Sequence, residues 1–501
     1  MGKRIKNNTQ EIPTSWRERE ILRDKGQFWT PDWIADAMVS YVLNGKTRHI
    51  FDPGVGTGAF FQAAKKLARA KKRKIMLLGT EIDPNVLREA VKNGLLEKDL
   101  ENVRITDFLL NPPKSHFKSI VANPPYIRHH RLSGNTKEKL KKLSYRIIGK
   151  PLDGRTGYHV YFLIQGLSLL DKDGRLAFIM PADTCEGVSA PVLWDWITAH
   201  YCLEAVITFS PEASPFSQLD INPIIFLIKN SKPKDSIFWV RCKKLGSTQL
   251  KEWIDSDFSK NIYSTLNIKK SKLRKALDVG LSRESQNKKH SGFLLGDFVK
   301  VLRGIATGAN DFFFLTKTKA KELKIPKEFL LPAIGRTRDI NGAEEINSRT
   351  LEVLESAGKN TLLFSPDGRP IDMFPKPVKE YLKYAEKIGI NKSPLISSRN
   401  PWYKMEVRTP PKFLFAYLGR RNSRFILNKA GVVPLTGFLC VYPKKNNPVF
   451  VNKLWRVLKH PETVKNLLLV GKSYGSGAIK VEPRALERLP LPIEAMKKVE
   501  L

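Results

Sequence analysis

HIFDPGVGTGAF, residues 49–60, decides the fold that we predict for this chain of 501 residues. Its first residues suit a buried strand, and GAFFQAAKKLARAKKRK (58–74) continues as a helix with a basic face. Between them, Gly54, Gly56 and Gly58 allow the backbone of a strand-to-helix turn to approach a ligand closely. The spacing is neither GxGxxG nor that of a P-loop, and a tight turn without a ligand is the alternative interpretation.

Short apolar runs alternate with helical patterns on both sides of this turn, from about residue 46 to 230. One helical pattern covers 159–174, and Gly174 suits its C-terminal end. Strands that alternate with helices predict an α/β fold with a mostly parallel sheet and helices on both faces. The further predicted strands lie in IMLLGTEID (75–83), SIVANPPY (119–126), RLAFIMP (175–181), LEAVITF (203–209) and INPIIFLIKN (221–230).

The charge balance points to a polyanionic partner. Lys and Arg number 86 against 49 Asp and Glu, which gives a formal net charge of +37. Such an excess favours nucleic acid, although a generally basic proteome or a ribosome-associated protein would also produce it. The four cysteines form no CxxC pair, so no zinc site is predicted. No apolar run suits a bilayer span or a signal peptide, and we expect a cytoplasmic protein.

The ends of the predicted second and third strands carry carboxylates. Glu81 follows the glycines by about twenty residues, where a carboxylate suits the two hydroxyls of a ribose. Asp83 is expected to cap the helix that starts at Pro84. Asp107 suits the exocyclic amine of an adenine ring, with Phe108 as a wall beside that ring. A surface turn residue is the alternative for Asp107.

The turn Asn123-Pro124-Pro125-Tyr126 ends the next predicted strand, because two prolines remove two backbone donors. A stiff turn with one amide and one ring is an unusual structure to build for packing alone. The turn is rich in hydrogen-bond acceptors, and its prolines hold it stiff. Tyr126 offers a stacking face, and a ring packed under a loop is its alternative.

Taken in order, these motifs resemble those of the DNA amino-methyltransferases that use S-adenosylmethionine, and among them the adenine-N6 enzymes of the Taq type. GQFWTP (26–31) is similar to the first cofactor motif of that family, with Trp29 in place of the commoner Tyr. Thr30 of this motif lies near the methionine end of the cofactor in the family. DPGVGTGAF, GTEID, TDF and NPPY then follow in the family's order.

A later segment, SPFSQLDINPIIFLIK (214–229), is similar to the family's strand that delivers an aromatic ring to the target base. Phe216 stands in the best register, with Phe209 and Phe226 as rivals. The resemblance thus implies two sets of residues and no metal. The catalytic set is Asn123, Pro124, Tyr126 and Phe216, and the S-adenosylmethionine set is Thr30, Asp52, Gly54, Gly56, Gly58, Glu81, Asp107 and Phe108.

The resemblance also implies a domain organisation of the gamma type. A Rossmann-like methyltransferase domain with a mostly parallel seven-stranded sheet precedes an α+β target recognition domain. VLRGIATGANDFFFLT (301–316) and GKSYGSGAIKVEPRALERLPLP (471–492) are similar to the entry and closing segments of the latter. We expect no nuclease domain before Gln27. The predicted parts are an N-terminal tail (1–20), the catalytic domain (21–262), a basic linker (263–290) and the target recognition domain (291–501).

DNA is expected in a cleft with basic walls between the two domains. The basic segments that we consider for it are 65–74, 137–146 and 335–339. Arginine pairs well with guanine edges, so arginines of the C-terminal domain are expected to read bases. The candidates are Arg303, Arg336, Arg338, Arg420 and Arg421.

The function implied is the site-specific transfer of the methyl group of S-adenosylmethionine to N6 of an adenine flipped out of double-stranded DNA. The enzyme would be a monomeric, nucleoid-associated modification component of a type II restriction–modification system, beside a cognate endonuclease. Four alternatives stay open. Cytosine-N4 enzymes usually have SPPY, RNA adenine-N6 enzymes share the chemistry, and protein glutamine methyltransferases have NPPY but are shorter. An inactive DNA-binding protein is the fourth.

Overall fold

A computed structural model provides the structure of the protein. It describes residues 29–44, 47–216, 221–260, 262–278, 280–282, 292–340, 342–416, 424–474 and 478–499. The predicted N-terminal tail and residues 26–28 of the first motif lie outside these ranges. The chain divides into two compact units, one before residue 288 and one from it onward. Within the described ranges, no helix is long and apolar enough to cross a membrane.

The first unit alternates strands and helices along the chain. Its strands are β1 (His49–Asp52), β2 (Met76–Glu81), β3 (Val103–Ile105), β4 (Phe117–Ala122), β5 (Leu170–Pro181), β6 (Cys202–Phe209), β7 (Pro223–Lys229), β8 (Ser236–Cys242) and β9 (Leu266–Lys272). Its helices are α1 (Asp32–Val42), α2 (Ala59–Ala70), α3 (Pro84–Lys92), α4 (Gly134–Ile148), α5 (Tyr158–Ser168), α6 (Asp183–Glu186), α7 (Ala190–His200), α8 (Gln249–Asp255) and α9 (Leu273–Asp278).

All of these strands form one sheet in the order β3-β2-β1-β4-β5-β7-β6-β8-β9. Five neighbouring pairs are parallel, whereas β7 runs antiparallel to β5 and β6, and β9 runs antiparallel to β8. The α/β prediction is therefore confirmed. The predicted seven strands are present as β1 to β7, but two further strands extend the sheet beyond β6.

The sheet also corrects the predicted basic linker (263–290), which is wrong over β9 and α9. Strand β9 pairs with β8 over its whole length, and no strand of the described residues pairs with its other side. Only Leu266 of this strand is buried, and Lys269 and Lys270 are exposed. Lysines on an edge strand discourage pairing with another chain, and this explains why a strand here has the composition of a linker. Residues 279 and 283–290 lie outside the described ranges.

The helix predicted over 159–174 is too long. Helix α5 ends at Ser168, and β5 starts at Leu170. Gly174 lies inside β5, where a Cβ atom would stand 2.8 Å from the backbone oxygen of Asp171. This glycine therefore permits a close backbone approach within a strand and does not end a helix.

Two apolar clusters cover opposite faces of the sheet. Along β4, Val121 belongs to one cluster and its neighbours Ile120 and Ala122 belong to the other, as the alternation of side chains in a strand requires. The first cluster includes Phe61 of α2, and the second includes Leu163 of α5. Helices thus lie on both faces, as predicted, and the carboxyl ends of the parallel strands remain free to form a site.

Gly79 lies in β2 where this strand passes the glycine turn. A Cβ atom here would stand 2.4 Å from Cγ2 of Val55 and 2.8 Å from the backbone oxygen of Asp52. Because that backbone must shift to make room, we expect Gly79→Ala to lower the free energy of unfolding by about 1–3 kcal/mol, measured by urea denaturation. In Gly134→Ala, the new Cβ meets nothing within 4 Å. Equal destabilisation by both changes would contradict the close packing.

The second unit mixes short strands with helices. Its strands are β10 (Val299–Arg303), β11 (Phe314–Leu315), β12 (Leu330–Ile334), β13 (Glu345–Ile346), β14 (Leu362–Phe364), β15 (Phe413–Ala416), β16 (Arg424–Asn428), β17 (Val433–Pro434), β18 (Phe438–Pro443), β19 (Lys472–Tyr474) and β20 (Ala478–Lys480). Its helices are α10 (Leu295–Phe298), α11 (Asn310–Phe313), α12 (Lys317–Glu322), α13 (Ser348–Ser356), α14 (Lys376–Lys387), α15 (Pro394–Ser397), α16 (Pro448–Leu458), α17 (Pro461–Val470), α18 (Pro483–Glu487) and α19 (Ile493–Val499).

Three sheets organise these strands. Their orders are β10-β18-β15-β16-β13, β11-β14-β12-β17 and β19-β20. Pairing within them is mostly antiparallel, and helices such as α16 and α17 pack on the five-stranded sheet through Leu454 and Leu467. This agrees with the predicted α+β fold of the C-terminal part.

Candidate active site

A cavity of about 510 Å³ lies at the carboxyl ends of β1 to β4. The residues that follow these four strands form its walls, because parallel strands bring their carboxyl ends to one edge of a sheet. The cavity also receives Thr30, which precedes α1. The residues predicted for the site that line it are Thr30, Gly54, Gly56, Glu81, Asp107, Phe108 and Asn123.

The glycine turn is held by the carboxylate of Glu81. The backbone N–H of Gly56 donates to Oε2 at 2.8 Å. The N–H groups of Ile82 and Asp83 donate to Oε1 at 2.9 and 3.0 Å. The side chain is nearly buried, yet it lines the cavity. Three backbone N–H groups therefore fix the carboxylate of Glu81, for which we predicted a contact with a ribose.

Asp83 performs the structural role predicted for it. Its Oδ1 accepts from the backbone N–H of Asn85 at 3.0 Å and caps α3, which starts at Pro84. Asp83 does not line the cavity, so Glu81 is the carboxylate that β2 delivers to it.

Asp107 presents one carboxylate oxygen to a neighbouring tyrosine in the cavity. Its Oδ1 accepts from the N–H groups of Leu109 and Leu110 at 2.8 and 3.2 Å. Its Oδ2 accepts from the hydroxyl of Tyr158 at 3.5 Å. Burial and the adjacent carboxylate of Asp107 raise the pKa of Tyr158, which keeps the tyrosine hydroxyl protonated as a donor.

Tyr158 and Phe162 are site residues that the sequence analysis missed. Both line the cavity, and the ring of Phe162 lies 5.1 Å from the ring of Phe108. They come from α5, where a spacing of four residues puts them on one helix face. That spacing was the available signal, but the sequence did not show which face of α5 meets the cavity.

The first motif and the proline turn meet in a side-chain hydrogen bond. Nδ2 of Asn123 donates to Oγ1 of Thr30 at 3.1 Å, although the two residues are 93 positions apart. The hydrogen bond uses the amide nitrogen of Asn123 as the donor. It also joins a residue of the predicted cofactor set to one of the predicted catalytic set.

Tyr126 and Phe216 contact each other in the structure. The two rings lie edge to face at 6.5 Å, and His159 meets the same tyrosine at 6.0 Å. The hydroxyl of Tyr126 donates to the backbone oxygen of Ile179 at 3.1 Å. Burial raises the pKa of Tyr126 well above its usual value. Pro124, Tyr126 and Phe216 do not line the 510 Å³ cavity.

The two rivals of Phe216 lie elsewhere. Phe209 packs against Trp33 at 5.9 Å. Phe226 packs against Trp194 at 4.7 Å in the cluster on the opposite face of the sheet from Tyr126. Phe216 is therefore the aromatic residue of the three with a ring contact to Tyr126.

Asp52 lies behind the glycine turn and does not line the cavity. Its Oδ1 accepts from the N–H of Gly54 at 3.0 Å, and its Oδ2 has no partner among the described residues. Burial raises the pKa of Asp52 to about 8; the Gly54 N–H opposes this shift, and the charge of Glu81 adds to it. The structure thus places Asp52 as a support of the turn. Gly58, also outside the cavity, starts α2 with a φ of 80°.

As the pH rises, the stability of Asp52→Asn should fall less than that of the wild type. The pKa of about 8 in the folded protein lies above the usual value of 3.8 for an aspartate, so this carboxyl stabilises the fold fully below pH 3.8 and progressively less up to pH 8. The loss is at most about 1.4 kcal/mol per pH unit. Asparagine retains an oxygen for the N–H of Gly54. We expect the melting temperature of the variant to exceed that of the wild type more at pH 8 than at pH 6. Parallel pH curves would contradict the raised pKa.

The predicted base-reading arginines differ in their surroundings within the second unit. Arg303 pairs with Glu482. Arg336 and Arg338 are exposed. Arg420 and Arg421 lie outside the described residues.

Two family models match the chain. The N-6 DNA methylase model matches residues 19–277, and the model of the C-terminal domain of type II methyltransferase M.Eco57I matches residues 281–501. The chain is similar to type II methyltransferase M.AccI of Acinetobacter calcoaceticus, with 26% identity over 470 residues that cover 92% of this chain and 84% of that protein. Type II methyltransferase M.XamI of Xanthomonas campestris pv. amaranthicola is 23% identical over 482 residues, covering 93% and 85%.

Several solved structures are similar over nearly the whole chain. One of them is that of the type IIL restriction-modification enzyme MmeI in complex with DNA, with a TM-score of 0.54 and 11% identity. The match covers 96% of this chain and 64% of that chain. At this identity the likeness concerns the fold alone.

Proposed function

This chain belongs to the N-6 DNA methylase family, and we propose that it is the modification methyltransferase of a type II restriction–modification system. As a member of the family, it is an adenine-specific DNA methyltransferase that uses S-adenosylmethionine. One observation carries the assignment of residues: Glu81 and Asn123 line the same cavity. A carboxylate suited to a ribose and an amide suited to an amine thus line one cavity.

The cavity fits the cofactor in size and in chemistry. Its volume of about 510 Å³ lies within the usual range for sites of small molecules. Glu81 would bind the two ribose hydroxyls, and Oδ2 of Asp107 would accept a hydrogen bond from the amine of the adenine ring. Phe108 would pack beside that ring. Thr30 would lie at the methionine end. When bound, S-adenosylmethionine supplies a methyl group on a positively charged sulfur.

The proline turn would prepare the amine of the target base. The lone pair of this amine is delocalised into the purine ring, so the amine is a poor nucleophile. The oxygen of Asn123 and the carbonyl of Pro124 would accept its two hydrogens and direct the lone pair to the methyl carbon. Proline adds no competing N–H. Fixed acceptors and in-line positioning account for this catalysis without a strong base.

The target adenine has to leave the duplex to reach the turn. Tyr126 would stack on one face of the rotated base, with Phe216 beside it, and stacking on an aromatic ring contributes about 1–3 kcal/mol per base. Tyr126 is already fixed through its hydroxyl to Ile179, so its ring loses little freedom when a base arrives. We further propose that the enzyme is a monomer and that a separate endonuclease cleaves the same DNA sequence.

A transfer assay with tritium-labelled S-adenosylmethionine tests the proposal. We expect counts in duplex DNA, with N6-methyladenine after nucleoside analysis, and none in ribosomal RNA or in a protein release factor. Long-read methylation mapping of DNA from cells that express the chain should then return one sequence context. Counts only in RNA or protein, or N4-methylcytosine as the product, would overturn it.

A further inference from the structure

Helix α4 (Gly134–Ile148) has two faces with different environments. Thr136 and Leu140 of its inner face line the same cavity as Glu81 and Asn123. Leu140 and Leu143 are buried in the apolar cluster of that side of the sheet. The hydroxyl oxygen of Ser133 accepts from the N–H of Thr136 at 3.1 Å, which caps the helix. The inner face of a capped helix is therefore one wall of the cofactor cavity.

The outer face of α4 carries a stripe of exposed cations, Lys139, Lys142 and Arg146, which we call the basic stripe. A spacing of three and then four residues places them on one side of the helix. Within the described part of the chain, no carboxylate lies in ion-pair distance of these three side chains. By contrast, Lys65 and Lys66 of α2 are paired with acidic residues. The charge of the basic stripe is thus available to an external anion.

The position of the basic stripe suits DNA. Helix α4 closes the cavity at the edge of the sheet that carries Asn123, so a duplex that delivers a base to Asn123 has to pass near this helix. Arg128 and His130, which are exposed, lie between the proline turn and α4. Three cations along one helix face match phosphates along a strand, which supply most of the salt-dependent affinity for DNA.

We propose that α4 binds the DNA backbone through the basic stripe and closes the cofactor cavity with its inner face, which lies about a quarter turn around the helix, so that bound DNA slows the release of the cofactor. This inference rests on the proposed function. Phosphates that hold the outer face also hold Thr136 and Leu140 against the cavity. Binding linkage is reciprocal, so the cofactor strengthens DNA binding by the same factor by which DNA strengthens cofactor binding.

The test is a triple variant, Lys139→Gln with Lys142→Gln and Arg146→Gln, beside a control of equal charge. Glutamine has a helix propensity close to those of lysine and arginine. The control changes three exposed lysines to Gln at the opposite, amino-terminal edge of the sheet. They are Lys71 and Lys74, which lie between α2 and the start of β2, and Lys118, the second residue of β4.

Two measurements are made with a duplex of about 30 base pairs and S-adenosylhomocysteine. We expect the basic-stripe variant to bind the duplex about 10- to 100-fold more weakly, and the slope of log K against log salt to fall by about 2.7, since each lost phosphate contact removes about 0.9. Without DNA it should bind S-adenosylhomocysteine like the wild type. The slower release of S-adenosylhomocysteine that DNA causes in the wild type should be lost.

Wild-type DNA affinity in the basic-stripe variant would contradict the proposal that the basic stripe binds DNA. An equal loss of DNA affinity in the control variant would contradict it as well. Weakened DNA binding with an unchanged effect of saturating DNA on the release rate would overturn the coupling. Neither result concerns the proposed function, which fails only if the wild-type enzyme does not methylate DNA. The proposal for α4 and the proposed function can therefore fail independently of each other.

Discussion

Replacement of Asn123 by alanine should lower the rate of methyl transfer by about 10²–10³-fold and leave cofactor binding nearly unchanged. Alanine removes the oxygen that accepts from the target amine, so the lone pair is no longer directed to the methyl carbon. The hydroxyl of Thr30 loses its contact with Nδ2 at 3.1 Å, but Thr30 remains in the cavity wall. Glu81 and Asp107, the proposed contacts of the nucleoside part, are not touched by the change.

Single-turnover transfer to a duplex with the mapped sequence measures this effect, and titration with S-adenosylhomocysteine measures cofactor binding. Asn102→Ala is the control, because Asn102 is exposed in the turn before β3 and does not line the cavity. It should transfer at the wild-type rate. Transfer within about threefold of wild type in Asn123→Ala would contradict the role of the amide. A loss of cofactor binding as large as the loss of rate would make Asn123 a cofactor residue instead.

The sequence predicted those features that depend on local chemistry. The glycine turn, the cap at Asp83 and the end of the strand at the proline turn are each specified by a few neighbouring residues, and the structure has all three. The order of the motifs then predicted the family, the fold class and the cofactor, which are confirmed. Side chains at the carboxyl ends of parallel strands had to meet, so Glu81, Asp107 and Asn123 could be placed together without a structure.

Features that depend on distant partners were missed. Strand β9 has the composition of a linker, and its pairing with β8 is what makes it a strand. The role of α4 as a cavity wall depends on where it packs, and its sequence shows only that one face is apolar. Phe226 lies in β7 and faces the cluster on the side of the sheet opposite Tyr126, whereas Phe216 lies in the connection between β6 and β7. Phe216 follows β6 on the side of Tyr126, which spacing alone did not show.

Replacement of Glu81 by alanine should weaken S-adenosylmethionine binding about 100-fold or more while DNA affinity stays near that of the wild type. The carboxylate would accept both ribose hydroxyls, and hydrogen bonds to a charged group contribute about 1.5–3 kcal/mol each. The same side chain accepts from the N–H of Gly56 at 2.8 Å, so its loss also releases the glycine turn. Equilibrium titration of the cofactor, with and without DNA, measures the effect.

A ligand series separates the two consequences of the change. Wild-type enzyme should bind adenosine much more tightly than 2′,3′-dideoxyadenosine, whereas Glu81→Ala should not distinguish them, because the group that reads the hydroxyls is gone. If the change only loosened the glycine turn, both ligands would bind more weakly and the ratio of their affinities would stay the same. Glu89→Ala removes an equal charge from the wall of the same cavity and should preserve the ratio as well. If Glu89→Ala weakened the cofactor as much as Glu81→Ala does, the carboxylates would act through charge on the sulfonium, and the assignment of Glu81 to the ribose would be wrong.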